Sequence, residues 1–260
     1  MRIALCLEYD GQHFCGWQSQ PSGCGIQDAL EKALEVLALH KVRVIAAGRT
    51  DTGVHALSQV VHFDTETMRA EDSWVRGVNA HLPKTLRVQW AKEVDARFHA
   101  RFDAQARSYQ YLLINQATAP AIMSGKAGWF HFPLNLNLMR EATGYLIGEH
   151  DFSAFRAADC QAKSPVKHLY NADIHVDGTS LIFSFSGNAF LHHQVRNMMG
   201  ALIYVGKGKY PPDHIKTLLE ARDRTASPPT FSPDGLYLTG VKYDPIWNLP
   251  NTHRQIKTVI

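Results

Sequence analysis

The 260-residue chain lacks any apolar run approaching the length of about 20 residues that a bilayer-spanning helix needs. Its opening stretch, MRIALCLEYDG, is broken by Glu8 and Asp10 too early for a secretory leader, so a cytoplasmic protein is expected. Cysteine is scarce. Cys6, Cys15, Cys24 and Cys160 show no paired C-x2-4-C spacing, which argues against a zinc site, and four in a chain of this size do not make a disulfide framework. Free thiols are expected. There is no G-x-x-x-x-G-K-[ST] loop and no Rossmann glycine fingerprint, so no nucleotide cofactor is expected. Fourteen histidines include no H-E-x-x-H pair. His192 and His193 are adjacent and would diverge by about 100° on a helix, and neither they nor His55 and His62 are read as metal ligands. Charge of one sign is also wanting: 27 Lys plus Arg against 24 Asp plus Glu leaves +3, too little to mark a nucleic-acid binder by itself. Basic residues do cluster locally, at Arg97, Arg101 and Arg107, and again at Arg196, Lys207, Lys209, Lys216, Arg222 and Arg224.

What is present suits a globular protein with a proper core: 45% hydrophobic and 20% charged residues. Ile3, Leu5, Leu7 and Tyr9 alternate on one face and predict a strand ending at Asp10-Gly11. Ile26, Leu30, Ala33, Leu34 and Leu37 fall at helical spacing, with Asp28, Glu31, Lys32 and Glu35 opposite. Strands follow at Val42 to Ala47 and Gln59 to Phe63, a helix at Glu71 to Ala80, and a strand at Arg87 to Trp90. The second half reads as a strand at Ser108 to Ile114, a helix at Leu136 to Ile147, and strands at Lys167 to His175 and Ser180 to Ser186 about Asp177-Gly178. Helices are expected at Leu191 to Val205 and Ile215 to Leu219, then a strand at Leu236 to Tyr243. The fold class is therefore α+β, with two related domains at 1–104 and 105–247 and a tail over 248–260. Each domain is expected to hold a mainly antiparallel mixed sheet with helices on one face.

The most informative stretch is Gly48-Arg49-Thr50-Asp51-Thr52-Gly53-Val54-His55-Ala56. Its two glycines permit a tight loop that projects Arg49 and Asp51 to the same side, a suitable setting for a reactive carboxylate. In an arbitrary R-x-D the two charges would simply pair. This loop, however, resembles the signature G-R-T-D-x-G-V-H-A of the tRNA pseudouridine synthase A family. Similar matches occur in order along the chain: Tyr9-Asp10-Gly11 with Phe14, Gly16, Trp17 and Gln18; Asn79 with Leu82-Pro83; Phe98-His99-Ala100-Arg101; and Arg107-Ser108-Tyr109. They continue through His150-Asp151-Phe152, Phe190-Leu191, Val195-Arg196-Asn197 with Gly200, and Gly235-Leu236-Tyr237-Leu238. Gly25 before Ile26-Gln27, and His192 and Gln194 about His193, depart from the family pattern.

The resemblance implies an enzyme that detaches uracil from ribose, turns it and rejoins it through carbon 5. By resemblance Asp51 is the catalytic carboxylate, acting as nucleophile or by assisting elimination at the sugar. Only its ionised form can serve, and Arg196 is implied as its cation across an active-site cleft between the domains. Tyr109 is implied as the ring that stacks on the flipped base or helps remove the carbon-5 proton; without the resemblance it would be an ordinary strand aromatic. Leu236 would lie beneath the base, and Arg49 would enter the gap the base leaves. The implied substrate is tRNA, at uridines 38 to 40 of the anticodon stem-loop. A homodimer with no metal and no small-molecule cofactor is also implied. Two other classes compete: an RNA-binding scaffold without turnover, against which Asp51, Tyr109 and Arg196 all stand, and a nucleoside or glycoside hydrolase, which generally needs a second carboxylate that this loop does not supply.

Overall fold

The structure, a computed structural model, describes residues 1–256. These divide into two compact units: Met1–Ala106 with 237–256, and Arg107–Leu236. Among the described residues, five α-helices and ten strands, mostly antiparallel, make the fold α+β as expected. No helix among the described residues is long and apolar enough to cross a membrane.

The first unit holds β1 (Arg2–Tyr9), α1 (Ile26–Ala38), β2 (Ile45–Ala46), β3 (His55–Asp64), α2 (Glu71–His81) and β4 (Leu86–Val94). β1 lies between β4 and β3, antiparallel to both, with Leu5 opposite Val61 and Ala91. α2 turns Trp74 edge-on to Phe63 of β3, with ring centroids 5.3 Å apart, and α1 meets α2 where Leu37 covers Gly77. Side chains at both places are fully or nearly fully buried, so these helices are held by packing. The other side of β3 is covered by irregular chain. His62 accepts the Ala100 amide, and Phe98 packs on Tyr243 and Trp247.

β2 is shorter than its apolar alternation suggests. Val44 donates its amide to Glu31 Oε1 at 2.9 Å, so only Ile45 and Ala46 are left to pair with His62 and Val61. β10 (Leu236–Lys242) corrects the expected division at 105–247: it runs parallel to β3, with Tyr237 opposite His55 and Leu238 opposite Ala56. The expected tail at 248–260 also belongs here as far as it is described. Thr252 accepts the Ser58 hydroxyl, Arg254 pairs with Glu8, and Gly240 bridges His253. Residues 257–260 lie outside the described residues.

A further correction concerns the thiols: Cys15 and Cys24 form a disulfide, while Cys6 and Cys160 are free. The loop doubles back so that the Cys15 amide donates to the Cys24 carbonyl at 3.0 Å, setting the two Cα atoms 5.4 Å apart, a separation that suits the bond.

The second unit is built on β5 (Ala106–Asn115), β9 (Ser180–Gly187), β8 (Val166–Asp177) and β7 (Gly148–Asp151), neighbours in that order and antiparallel throughout. β6 (Gly128–Phe130) adds to β5 in parallel. The strands β8 and β9 meet at a turn where Gly178 has φ +60°, a conformation glycine adopts without cost. α3 (Leu136–Gly144) packs on α4 (Gln194–Gly206) through Met139, whose sulfur would meet any side chain at Gly206. α4 is buried along nearly its whole length, and α5 (His214–Ala221) follows it. The helix expected from Leu191 starts three residues later, because His193 takes a left-handed φ of +61° at its N-cap. The helix expected to Ile147 stops at Gly144, where the chain turns into β7.

Candidate active site

In the first unit Arg49 and Asp51 both lie on the loop that joins β2 to β3. Arg49 is exposed, Thr50 buried and Asp51 half-buried, the alternation of an extended segment with Thr50 facing inward. Gly53, with φ +82°, lets the Val54 amide return to the Asp51 carbonyl at 3.1 Å. Gln59, itself buried, donates its side-chain amide to the Gly48 carbonyl at 2.7 Å.

Residues 9–17 brace this loop from behind. The Tyr9 and Thr50 hydroxyls are 2.8 Å apart in a buried hydrogen bond, and the Trp17 amide donates to the Thr50 carbonyl at 2.9 Å. The Gly11 amide donates to Nδ1 of His55, which stacks on Tyr237 with centroids 4.5 Å apart. Gly11 and Gly16 are there because nothing larger fits. A Cβ on Gly11 would lie 2.0 Å from the Val54 oxygen, and one on Gly16 would lie 3.0 Å from that of Thr50. The disulfide and the start of α1 hold the brace in turn: Ile26 donates to Gly16 and Gln27 to Trp17. At that helix start burial works against the Asp28 charge, yet the Ser19 hydroxyl and the Gly25 and Gln20 amides hold its carboxyl below the usual range.

Tyr109, Arg196 and Leu236 belong to the second unit. Tyr109 is half-buried on β5 and meets Phe190 edge-on at 5.0 Å. Arg196 sits in the first turn of α4. Its Nε donates to the Phe231 carbonyl at 3.0 Å, and its own carbonyl accepts the Phe231 amide at 3.1 Å. Next to it, the buried Asn197 accepts from Arg224 and Thr230 and donates to the Phe155 carbonyl. The segment carrying Phe231 continues to β5, where Ser232 accepts the Tyr111 hydroxyl and Gly235 accepts the Leu112 amide, and it ends at the buried Leu236. A single stretch, 229–236, thus ties α4, β5 and Leu236 together. Gly200 and Gly235 make this possible, since each passes backbone at a distance no Cβ would tolerate.

These supports carry little signal in the sequence: Tyr9 and Trp17 stand out only as members of motifs, and of Phe231, Thr230 and Arg224 only Arg224 belongs to a basic cluster. His192 accounts for one departure from the family pattern: its Nδ1 meets Asp159 at 2.9 Å, and this ring holds the Asp159 carboxyl below the usual carboxylate range. Gln194 accounts for another, accepting the Leu191 amide at the head of α4.

Residues 5–103 and 142–244 match the family described as tRNA pseudouridine synthase. A protein named tRNA pseudouridine synthase A from Methylobacillus flagellatus is 69% identical over 99% of this chain and 98% of its own length. Proteins of the same name from Nitrosomonas eutropha and Dechloromonas aromatica are 56% and 55% identical, each over 96% of this chain and over 90% and 96% of their own lengths. A match of this extent makes the chain an isomerase of uridine in RNA. It belongs to the tRNA pseudouridine synthase family.

Proposed function

We propose that the chain converts uridines 38 to 40 in the anticodon stem-loop of tRNA to pseudouridine, with Asp51 as catalytic nucleophile. The observation that supports this best is the braced loop: a half-buried carboxylate whose neighbouring peptides are tied on both sides into the compact first unit. Pre-organisation of this kind is what a nucleophile that must meet one sugar carbon requires.

In this reading the uridine leaves the stack, at a cost of about a few kcal/mol, and Arg49 fills the space it vacates. The Asp51 carboxylate assists cleavage of the bond between N1 of uracil and C1′ of ribose, by attack on the sugar or by promoting elimination. The uracil turns and C5 bonds to C1′ as the Asp51 carboxylate leaves that carbon, or as the proton lost from C2′ in an elimination is returned; the C5 hydrogen leaves as a proton and N1 ends protonated, so atoms balance without a cofactor. Tyr109 stacks on the base or helps take the C5 proton, Leu236 supports the base from below, and Arg196 offsets the Asp51 charge. The working form is a homodimer, and no metal takes part.

The test is tritium release from carbon-5-labelled uridine in tRNA, measured together with tRNA affinity. Asp51→Asn should lose several orders of magnitude in rate while binding stays within a few-fold, as removal of an essential nucleophile does. Retention of more than about a tenth of the wild-type rate would take Asp51 out of this role. A tRNA with cytidine at positions 38 to 40 should release no label. Release from it would move the target elsewhere.

A further inference from the structure

Thr50 stands immediately before Asp51 and turns the opposite way, into the first unit. Its relative exposure is 6% and that of Tyr9 is 3%, so their 2.8 Å hydrogen bond is closed to water. Neither hydroxyl is open to water, so loss of this bond is not offset by a bond to solvent. The Thr50 carbonyl is tied separately to Trp17. On the far side the Asp51 carbonyl accepts from Val54, and Gly16 lies against the peptides of Thr50 to Thr52. The backbone entering Asp51 is thus held through one side chain and one peptide, and the backbone leaving it through a turn.

We propose that Tyr9 is a positioning residue for the reaction: its buried phenol, acting through the Thr50 hydroxyl, fixes the backbone from which Asp51 projects. This rests on the reading of Asp51 as the catalytic carboxylate. Tyr9 need not touch the substrate. Thr50 is β-branched and stiff at χ1, so a hydroxyl pinned at one end transmits its position to the main chain. A catalytic side chain must be held to within about 0.5 Å, and a displacement near 1 Å costs about a hundredfold in rate.

The experiment measures single-turnover rates at saturating tRNA, well below each protein's melting temperature. It uses Tyr9→Phe, Thr50→Val, the double variant, Thr50→Ser and, as reference, Asp51→Asn. Tyr9→Phe and Thr50→Val should each slow the reaction by about ten- to a hundredfold, with tRNA Kd within about twofold. The double variant should be no slower than the slower single, because both remove one bond. Thr50→Ser, which keeps the hydroxyl, should recover most of the rate. A purely structural role would lower the melting temperature of Tyr9→Phe and leave its rate unchanged, and that result overturns the proposal. So do losses that multiply in the double variant, or a defect confined to Kd. Should Tyr9→Phe not fold, equal rates for Thr50→Val and Thr50→Ser overturn it. An active Asp51→Asn would bring down the reading beneath it as well, whereas an inactive Asp51→Asn beside a full-speed Tyr9→Phe refutes positioning alone.

Discussion

Acidification from pH 7.5 to 4.5 should destabilise the first unit through one side chain, His62. This residue lies in β3 at 1% exposure, with its Nδ1 accepting the Ala100 amide at 3.1 Å. Burial, first, then the Arg2 guanidinium and His99 depress its pKa to about 4, against the weaker upward pull of Asp64 and Asp103. The folded pKa is below the unfolded one. Stability is therefore complete above about pH 6.5, where neither state is protonated, and is lost as pH falls toward 4, where only the unfolded chain takes the proton. A drop from 6.5 to about 4 corresponds to about 3 kcal/mol, of which about 2.5 has gone by pH 4.5. Urea unfolding of wild type and His62→Gln across this range measures it, since glutamine keeps an acceptor for Ala100 but cannot titrate. The difference in unfolding free energy between the two should narrow by about 2.5 kcal/mol on going to pH 4.5. The carboxylates held low, Asp28, Asp64, Asp95, Asp151, Asp159 and Asp223, lose their contribution mainly below this window, and His214, depressed by burial, is common to both proteins. Parallel pH curves for the two would refute the reasoning.

Other outcomes follow from single features. Gly11→Ala should cost about 3 kcal/mol or more and abolish tritium release, because the new Cβ would meet the Val54 carbonyl at 2.0 Å; a melting curve near wild type would count against the brace. Reducing the Cys15–Cys24 bond, which closes a loop of sequence separation nine, should lower unfolding free energy by about 2.5 kcal/mol in urea melts with and without a dithiol. Lys207 and Lys209 are exposed beside Tyr204, with ammonium groups 4.2 and 4.8 Å from its ring. Replacing both with alanine should weaken tRNA binding and flatten the plot of log K against log salt by up to about two units of slope, checked by filter binding at several ionic strengths.

Periodicity made the long elements legible. Ile3, Leu5 and Leu7, and the run from Ile26 to Leu37, face the core as their spacing demands, and β1 and α1 span close to the expected residues. Short strands escaped because three residues at Gly128–Phe130 or four at Gly148–Asp151 give no period to read. The Cys15–Cys24 pair escaped because its spacing belongs to no metal or disulfide pattern; only the folded loop brings the two together. The site divides in the same way. The loop carrying Asp51 stood out through its own glycines and charges. What steadies it, Tyr9 and Trp17, and what steadies Arg196, Phe231, act through hydrogen bonds across 33 to 41 residues of chain, and no local pattern records such a bond.

The parallel seating of β10 beside β3 has a temporal consequence for a chain made from its N-terminus. Residues 1–106 emerge from the ribosome with the His55 and Ala56 end of β3 still waiting for Tyr237 and Leu238, and with Ser58 waiting for Thr252. The whole second unit is synthesised in the interval. The stretch of β3 directly following the Asp51 loop is thus among the last parts of the protein to be covered, so a chain halted before residue 237 would carry Asp51 on an unfinished edge.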